Sequence, residues 1–376
     1  MTSHYDIGVY YFPNYHIDSH NEAVHGPGWT EWELVKQAQP RFSGHQQPKV
    51  PLWGYEDEAD PAVFAKKIDA AADHGITHFL FDWYWYDGEP HRQRCLEEGY
   101  FGAPNKDRLQ FALMWANHDW IDIHPAKLHN EPKLWDRGAI SSDGFDKMTD
   151  YIIEKYFLQP EHKKIDGCPF FSIYELQKFI NGIGGLEVAR EALQRFDEKT
   201  RAAGFPGLHL NAIIWGIQIL PTEQAINKPN ELLSYLNFQS ATSYVWVHHQ
   251  QFTGFPTMPY TEMAQNSVQQ WQESADAFAV PYYPNVTMGW DASPRTCQTD
   301  RFMQWNYPFT PVLDGNTPQA FKESLEQMKA FLDTHPSCRN TFTINAWNEW
   351  TEGSYLEPDT INGMGYLEAI HDVFGG

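Results

Sequence analysis

Eight short segments rich in β-branched and aromatic residues recur along this chain, separated by stretches with helical periodicity. That alternation restricts the fold more than any other feature. The candidate strands are 5–12, 76–83, 109–117, 169–175, 208–215, 235–242, 281–288 and 341–347. Between them 61–74, 143–157, 186–203, 261–278 and 318–333 read as helices, and 89–98 and 222–234 as weaker ones. In the first of these Val63, Phe64, Ile68 and Ala71 fall on one face. Near-continuous apolar strands alternating with amphipathic helices form a parallel sheet covered by helices, because such strands are buried on both faces. Eight of them predict an α/β fold, a (β/α)8 barrel, with a doubly wound sheet as the alternative. The 376 residues contain no repeat, low-complexity tract or Ser/Gly linker. We therefore expect one catalytic domain over 1–376, with 13–60 as a long first loop over the cleft.

In such a barrel the chemistry sits at the carboxyl ends of the strands. Here those ends read Asp82-Trp83, Trp115-Ala116-Asn117, Tyr174-Glu175, Trp215, Tyr244-Val245-Trp246, Gly289-Trp290-Asp291 and Trp347-Asn348-Glu349-Trp350. Most end in a Trp, often beside a carboxylate or amide, in a chain that is 15% aromatic. Aromatic faces stack on sugar rings, so these ends predict a carbohydrate-sized cleft. A Trp-rich core is the plainer reading of any single one.

The densest constellation is Asn345-Ala346-Trp347-Asn348-Glu349-Trp350-Thr351-Glu352-Gly353. On a helical turn, residues three apart face one side, so Glu349 and Glu352 can reach into one cleft. Two like-charged carboxylates among aromatic neighbours push their pKa values apart, leaving one ionised and one able to donate a proton. Glycosidic bond cleavage requires that division of labour. Alternatively, Glu352 caps a helix or pairs with an Arg. Glu175, closing the fourth strand, and Asp291, closing the seventh, form a rival pair, or serve as substrate hydrogen-bonding groups. Trp29, Glu31, Trp32 and His45 in the first loop are expected to wall the cleft, or else to tie the loop to the barrel.

Other classes are disfavoured. With 27 Lys+Arg against 49 Asp+Glu the net charge is −22, which excludes a basic nucleic-acid surface. The same charge opposes a strongly anionic polysaccharide, unless a local Arg such as Arg295 overrides it. Segment 207–222 is too short and polar to span a bilayer, so membrane insertion is not expected. The N-terminus shows no basic region followed by an apolar stretch, which predicts a cytoplasmic location, or a periplasmic or secreted one if a signal has been removed. The four cysteines lack CxxC spacing and are expected to be reduced thiols. Among 17 histidines, which include His4, His16, His20, His25, His118, His124, His129 and His248-His249, no HExxH spacing occurs, so no metal is expected. No GxGxxG or GxxxxGK[ST] cradle is present, and no cofactor is expected. Asp57-Glu58-Ala59-Asp60 is a poor metal motif for a nucleotide-sugar enzyme and reads as a helix N-cap. Nothing in the sequence specifies an oligomeric partner.

The stretch NAWNEWTEGSYLEPD resembles the C-terminal signature of WbsX-type proteins, which are akin to family 99 glycoside hydrolases. Tyr10-Tyr11-Phe12-Pro13 with His16, Trp29-Thr30-Glu31-Trp32, Gly44-His45 with Gln47-Pro48, Trp115-Ala116-Asn117 and Met288-Gly289-Trp290-Asp291 extend the resemblance over nearly the whole chain. The resemblance implies a (β/α)8 barrel acting on an oligosaccharide or polysaccharide. It also implies a retaining route in which Glu349 is the base on the sugar's own 2-hydroxyl, giving a 1,2-anhydro sugar, and Glu352 is the acid and then the base. Tyr11, Trp115, Asn117, Trp290, Asp291, Asn348 and Trp350 are then expected at the substrate. Where many relatives have a His-Tyr-Trp run this chain has Phe81-Asp82-Trp83, which adds Asp82 as a further carboxylate. Three functions follow as alternatives: a retaining glycoside hydrolase for an α-linked glycan, a glycosyltransferase of surface polysaccharide assembly, and a non-catalytic glycan-binding barrel.

Overall fold

The computed structural model describes residues 5–86 and 88–375; His4 and Asp87 lie outside them. Every one of the eight expected segments contains a parallel barrel strand. They are β1 (Asp6–Tyr11), β2 (His78–Tyr86), β3 (Gln110–Trp115), β4 (Cys168–Ile173), β5 (His209–Ile213), β6 (Ser240–Thr242), β7 (Tyr282–Tyr283), β8 (Asn285–Thr287) and β9 (Thr341–Asn345). Segment 281–288 supplies both β7 and β8. β7 pairs with β6 and β8 pairs with β9, while each remaining strand pairs with its neighbour in sequence and β1 with β9. Pro284, which has no N–H to donate, separates the two halves, and its carbonyl accepts from Thr343 N–H at 2.9 Å. The barrel thus closes through a strand in two pieces.

Close approach of β1 and β2 depends on Gly8, paired with His78. A Cβ at Gly8 would lie 2.5 Å from His78 Nε2. Polar residues buried among the strands satisfy one another: Ser172 Oγ donates to Asn211 Oδ1 at 2.8 Å, and Asn211 Nδ2 donates to Ser240 Oγ at 2.9 Å and Thr242 Oγ1 at 2.8 Å.

Outside the strands lie α1 (Pro61–Asp73), α2 (Ser142–Ile152), α3 (Leu176–Ile183), α4 (Leu186–Ala202), α5 (Pro229–Tyr235), α6 (Tyr260–Ala277), α7 (Pro318–Thr334) and α8 (Gly365–Phe374). Their starts follow sequence logic. Asp60 caps α1 by accepting from Ala62 N–H at 2.8 Å, with Pro61 in the first turn, and Ser141 and Thr317 cap α2 and α7.

Three expectations shift. Segment 235–242 is strand only from Ser240, because α5 runs to Tyr235 and Asn237 turns the chain at φ 58°. Segment 89–98 begins as a strand, Glu89–His91, folded back antiparallel on β2, before a helical turn at Cys95–Tyr100. α3 and α8 were not anticipated from periodicity. No helix among the described residues is long and apolar enough to cross a membrane, and the four cysteines are free.

Candidate active site

Immediately after β9, Asn348–Glu349 pairs antiparallel with Ser354–Tyr355. One 3-10 turn, Trp350–Glu352, and Gly353 at φ 64° connect them. Only glycine fits there, since a Cβ would lie 2.6 Å from Asp291 Cβ. The hairpin is braced from behind. Trp350 stacks on Tyr355 at 3.8 Å. The indole N–H groups of Trp347 and Trp350 donate to the two oxygens of Glu357 at 2.9 and 2.7 Å, and Lys67 pairs with Glu357 at 2.8 Å. Asn348 ties the hairpin to β1, its side chain accepting from Phe12 N–H and donating to Phe12 O, both at 2.8 Å. Glu349 and Glu352 therefore stand on a fixed base.

Arg295, on the loop after β8, gathers the carboxylates. Its Nε donates to Glu31 Oε1 at 2.9 Å, Nη2 reaches Glu349 Oε2 at 3.0 Å and Nη1 reaches Glu352 Oε1 at 2.5 Å. Tyr307 accepts from Nη1 and donates to Glu352 Oε1 at 2.6 Å. Glu31 also accepts from Asn14 and Thr351. Burial alone would raise Glu31, but Arg295, His124 and these donors outweigh it and hold its carboxyl at about 2. Burial drives Glu349 upward, the charge on Glu352 adds to it, and Arg295 offsets only part, so Glu349 stands well above the usual carboxylate range. Burial also raises Glu352, less far, because Arg295 and Tyr307 both stabilise its ionised form. One guanidinium facing three carboxylates, with Glu31 ionised, leaves the Glu349–Glu352 pair holding a proton. The donors on Glu352 place that proton on Glu349.

The pair opens onto a cavity at this end of the barrel, whose wall also carries Phe12, Tyr84, Tyr174 and Tyr244. Asp82 and Trp290 share its wall. Asp82 is buried, and burial, with the charge on Glu352, pushes it well above its usual value despite the Tyr244 hydroxyl, which donates to Oδ2 at 2.8 Å, and the charge on Arg295.

The other expected residues stand behind this wall. Tyr11 donates to Glu58 Oε2 at 2.9 Å. Trp32 packs on Tyr15 at 4.2 Å and Trp350 at 5.9 Å, and Trp115 lies between Phe145 and Phe179. Trp29 stacks on His25 at 4.1 Å and meets His124 edge-on. Asn117 joins the ends of β3 and β4 by accepting from Glu175 N–H at 2.7 Å and donating to Glu175 O at 2.9 Å. Glu175 pairs with Lys178 at 3.2 Å, apart from Asp291, which accepts from Gln47 at 2.7 Å and pairs with His45 at 2.8 Å. Asp291 N–H meets Glu352 O at 2.5 Å, so Asp291 supports the hairpin.

The cavity wall is aromatic, as expected, but most of the expected tryptophans are not part of it: Phe12, Tyr84, Tyr174 and Tyr244 join Trp120 and Trp290 there. Trp115, Trp246, Trp347 and Trp350 are fully buried and take no part in the wall; Trp347 packs on Phe79 and Trp350 on Tyr355. Of all the tryptophans, Trp120 and Trp290 line the cavity. Nothing in the sequence points to Tyr307 or Arg92; it places Tyr244 only as a strand end and His118 and His124 only among possible metal ligands, and offers Arg295 as a local charge without its carboxylate partners. Three glutamates expected near one cleft demand a cation, and that was the available signal.

Two groups among the described residues have the spacing to hold an ion, His16–Glu58–Cys95 and His20–Glu89–His91. Glu58 is already engaged by Tyr11, Tyr15 N–H and His16, and neither group includes a member of the glutamate pair.

Residues 7–370 match the family model described as Glycosyltransferase WbsX. The WxcX protein of Xanthomonas campestris pv. campestris is 25% identical over 372 residues, 97% of this chain and 49% of that protein. The chain thus spans about half the length of the curated relative it matches. Among solved structures it is similar to the family 99 endo-α-mannosidase of Bacteroides thetaiotaomicron, at 15% identity and TM-score 0.58, covering 98% of this chain and 95% of that one. A glycoside hydrolase-like protein gives 15% identity and TM-score 0.57 over 98% and 94%. At these identities the structural likeness concerns the barrel fold.

Proposed function

The chain belongs to the WbsX glycosyltransferase family, and from that membership and the geometry of its site we propose that it is a retaining glycoside hydrolase for an α-linked glycan, with Glu349 and Glu352 as the reacting pair. The observation that carries the proposal is a buried carboxylate pair at a cavity wall, with Arg295 on both members and Tyr307 on Glu352. Such a pair supplies the acid and the base that glycoside cleavage consumes.

In the route the family resemblance implies, Glu349 takes the proton of the sugar 2-hydroxyl. That oxygen bonds to the anomeric carbon as the glycosidic bond breaks, and Glu352 protonates the departing oxygen. Glu352, now a carboxylate, then deprotonates a water that opens the anhydro sugar, and Glu349 returns its proton to the 2-oxygen. Both carboxyls end as they began. At rest the proton favours Glu349, so substrate binding has to move it to Glu352. A sugar hydroxyl hydrogen-bonded to Glu349, with the leaving oxygen replacing Tyr307 on Glu352, favours that transfer. Asp82, held protonated by burial, serves as a hydrogen-bond donor to a sugar oxygen.

The family description supports a second reading, transfer of the glycan to an acceptor hydroxyl in place of water. A panel of α-linked oligosaccharides and polysaccharides, incubated with the protein and with its Glu352→Gln variant, tests the two. Sugar release by the parent alone supports hydrolysis. Turnover that appears only when a nucleotide sugar is added supports transfer, and glycan binding without turnover under either condition supports a non-catalytic barrel.

A further inference from the structure

Arg92 stands on the wall of the same cavity and has no role in the chemistry above. It is 6% exposed, yet among the described residues its guanidinium makes no hydrogen bond or ion pair. Asp18 accepts the backbone N–H of Arg92 at 3.1 Å, and the guanidinium charge helps to lower the Asp18 carboxyl against burial, but no hydrogen bond or ion pair joins the two side chains. The guanidinium instead lies over the ring of Tyr84, 4.6 Å from the centroid. Arg92 also sits at φ 57°, in the left-handed region that a non-glycine residue rarely adopts. This conformation ends the strand Glu89–His91 where His91 pairs with Tyr84. A charged group buried without a partner is costly. Backbone strain together with guanidinium donors that no acceptor among the described residues takes up marks a place held for something outside the chain.

We propose that Arg92 anchors the carboxylate of an acidic sugar residue in the glycan, so that the substrate of this cavity carries a uronic acid. The inference rests on the glycan-cleaving reading above and names its substrate class. A planar guanidinium grips a carboxylate through two parallel N–H donors. Packed on Tyr84, the group is already oriented, so little side-chain entropy is lost on binding. The surroundings suit a single negative charge. His118 and His124, on the same wall, are driven by burial to about 4 and about 3, so they are neutral at physiological pH and add no cation. Asp119, Glu223 and the glutamate pair also line the cavity, which opposes a dianionic phosphate. The net charge of −22 opposes an acidic ligand at long range, and a buried local cation overcomes that within a few ångströms, where salt screens least.

The test is binding, which does not require turnover. Calorimetric affinities are measured for the parent protein with glucuronate, galacturonate and mannuronate oligosaccharides, with neutral oligosaccharides of equal length and with sulfated ones. Arg92→Gln and Arg92→Lys are measured beside it, each with a melting curve to verify folding. The expected result is a preference of the parent for one uronate series, lost by roughly 10- to 100-fold in Arg92→Gln and partly retained in Arg92→Lys, while neutral glycans are unaffected. Equal affinity for acidic and neutral glycans, binding of neither, preference for the sulfated series, or equal loss of all ligands in a folded Arg92→Gln would each overturn the carboxylate assignment. A uronate preference without cleavage would leave this inference standing and remove the hydrolase reading.

Discussion

Arg295 Nε and Glu31 Oε1 meet at 2.9 Å although 264 positions separate the two residues. The contact joins the long first loop to the loop after β8 and sets the charge of the site, since Glu31 is ionised before either glutamate of the reacting pair. Arg295 is therefore a structural and an electrostatic centre. Removing it leaves the carboxylates of Glu31 and Glu352 buried without the guanidinium that holds them. Arg295→Met is expected to lower stability by about 3–5 kcal/mol, the usual consequence of breaking a buried ion pair from one side. Adding Glu31→Gln should restore part of the loss. Urea denaturation of the single and double variants measures both effects, and a single variant as stable as the parent would show that Glu31 does not need its partner.

The roles of the two glutamates separate through the leaving group. Glu352→Gln is expected to cut kcat by roughly 10²–10⁴ on a natural glycan, with substrate binding retained. On an aryl glycoside whose leaving group needs no protonation, most of that rate should return. Glu349→Gln should stay slow on both substrates, because the base is still missing. If the aryl substrate rescued Glu349→Gln instead, the resting proton on Glu349 would mark the true acid and the two assignments would exchange.

The barrel was legible because its strands, buried on both faces, leave apolar runs such as Phe79–Phe81 and Phe111–Trp115 that no surface element would carry. Glu349 and Glu352 were legible because three positions on one turn keep them together whatever the strand register. Trp347 and Trp350 were misread for the opposite reason. Which side of a strand end a residue faces changes with a shift of one position, so a row of Trp near carboxylates does not tell the wall of a cleft from its backing. The contacts of Arg295 depend on the closure of the barrel, and no local pattern encodes a pairing across most of the chain. Arg92 carries no sequence signal at all, because its interest lies in the partner it lacks.

Glu175 offers a test by pH. Burial, the largest effect, together with Glu223 and Asp119, raises its carboxyl to about 8 despite the ion pair with Lys178 at 3.2 Å. In the unfolded chain it titrates near 4.5. Between these values the folded protein binds the extra proton, so Glu175 makes stability fall as pH rises from about 4.5 to about 8, by roughly 1.4 kcal/mol per pH unit. Glu175→Gln should remove this slope and make the protein more stable than the parent at pH 8. Denaturant unfolding at pH 5, 6.5 and 8 decides it. Parallel profiles for parent and variant would mean that Lys178 keeps Glu175 ionised.

Asp82 gives the sharpest distinction between a charged and a neutral carboxyl. Buried, with only the Tyr244 hydroxyl donating to Oδ2 and no partner on Oδ1, it is held protonated and presents a donor to the cavity. Asparagine keeps that shape and that donor, so Asp82→Asn should leave kcat/KM within a few-fold of the parent. Asp82→Ala removes the donor and leaves the Tyr244 hydroxyl unpaired, which should cost about 1–3 kcal/mol in transition-state binding, roughly 5- to 150-fold in kcat/KM. Steady-state kinetics on a glycan identified by the hydrolysis panel compares the two variants. An Asp82→Asn variant as impaired as Asp82→Ala would mean that Asp82 acts as a carboxylate, its charge held against burial by the Tyr244 donor and Arg295.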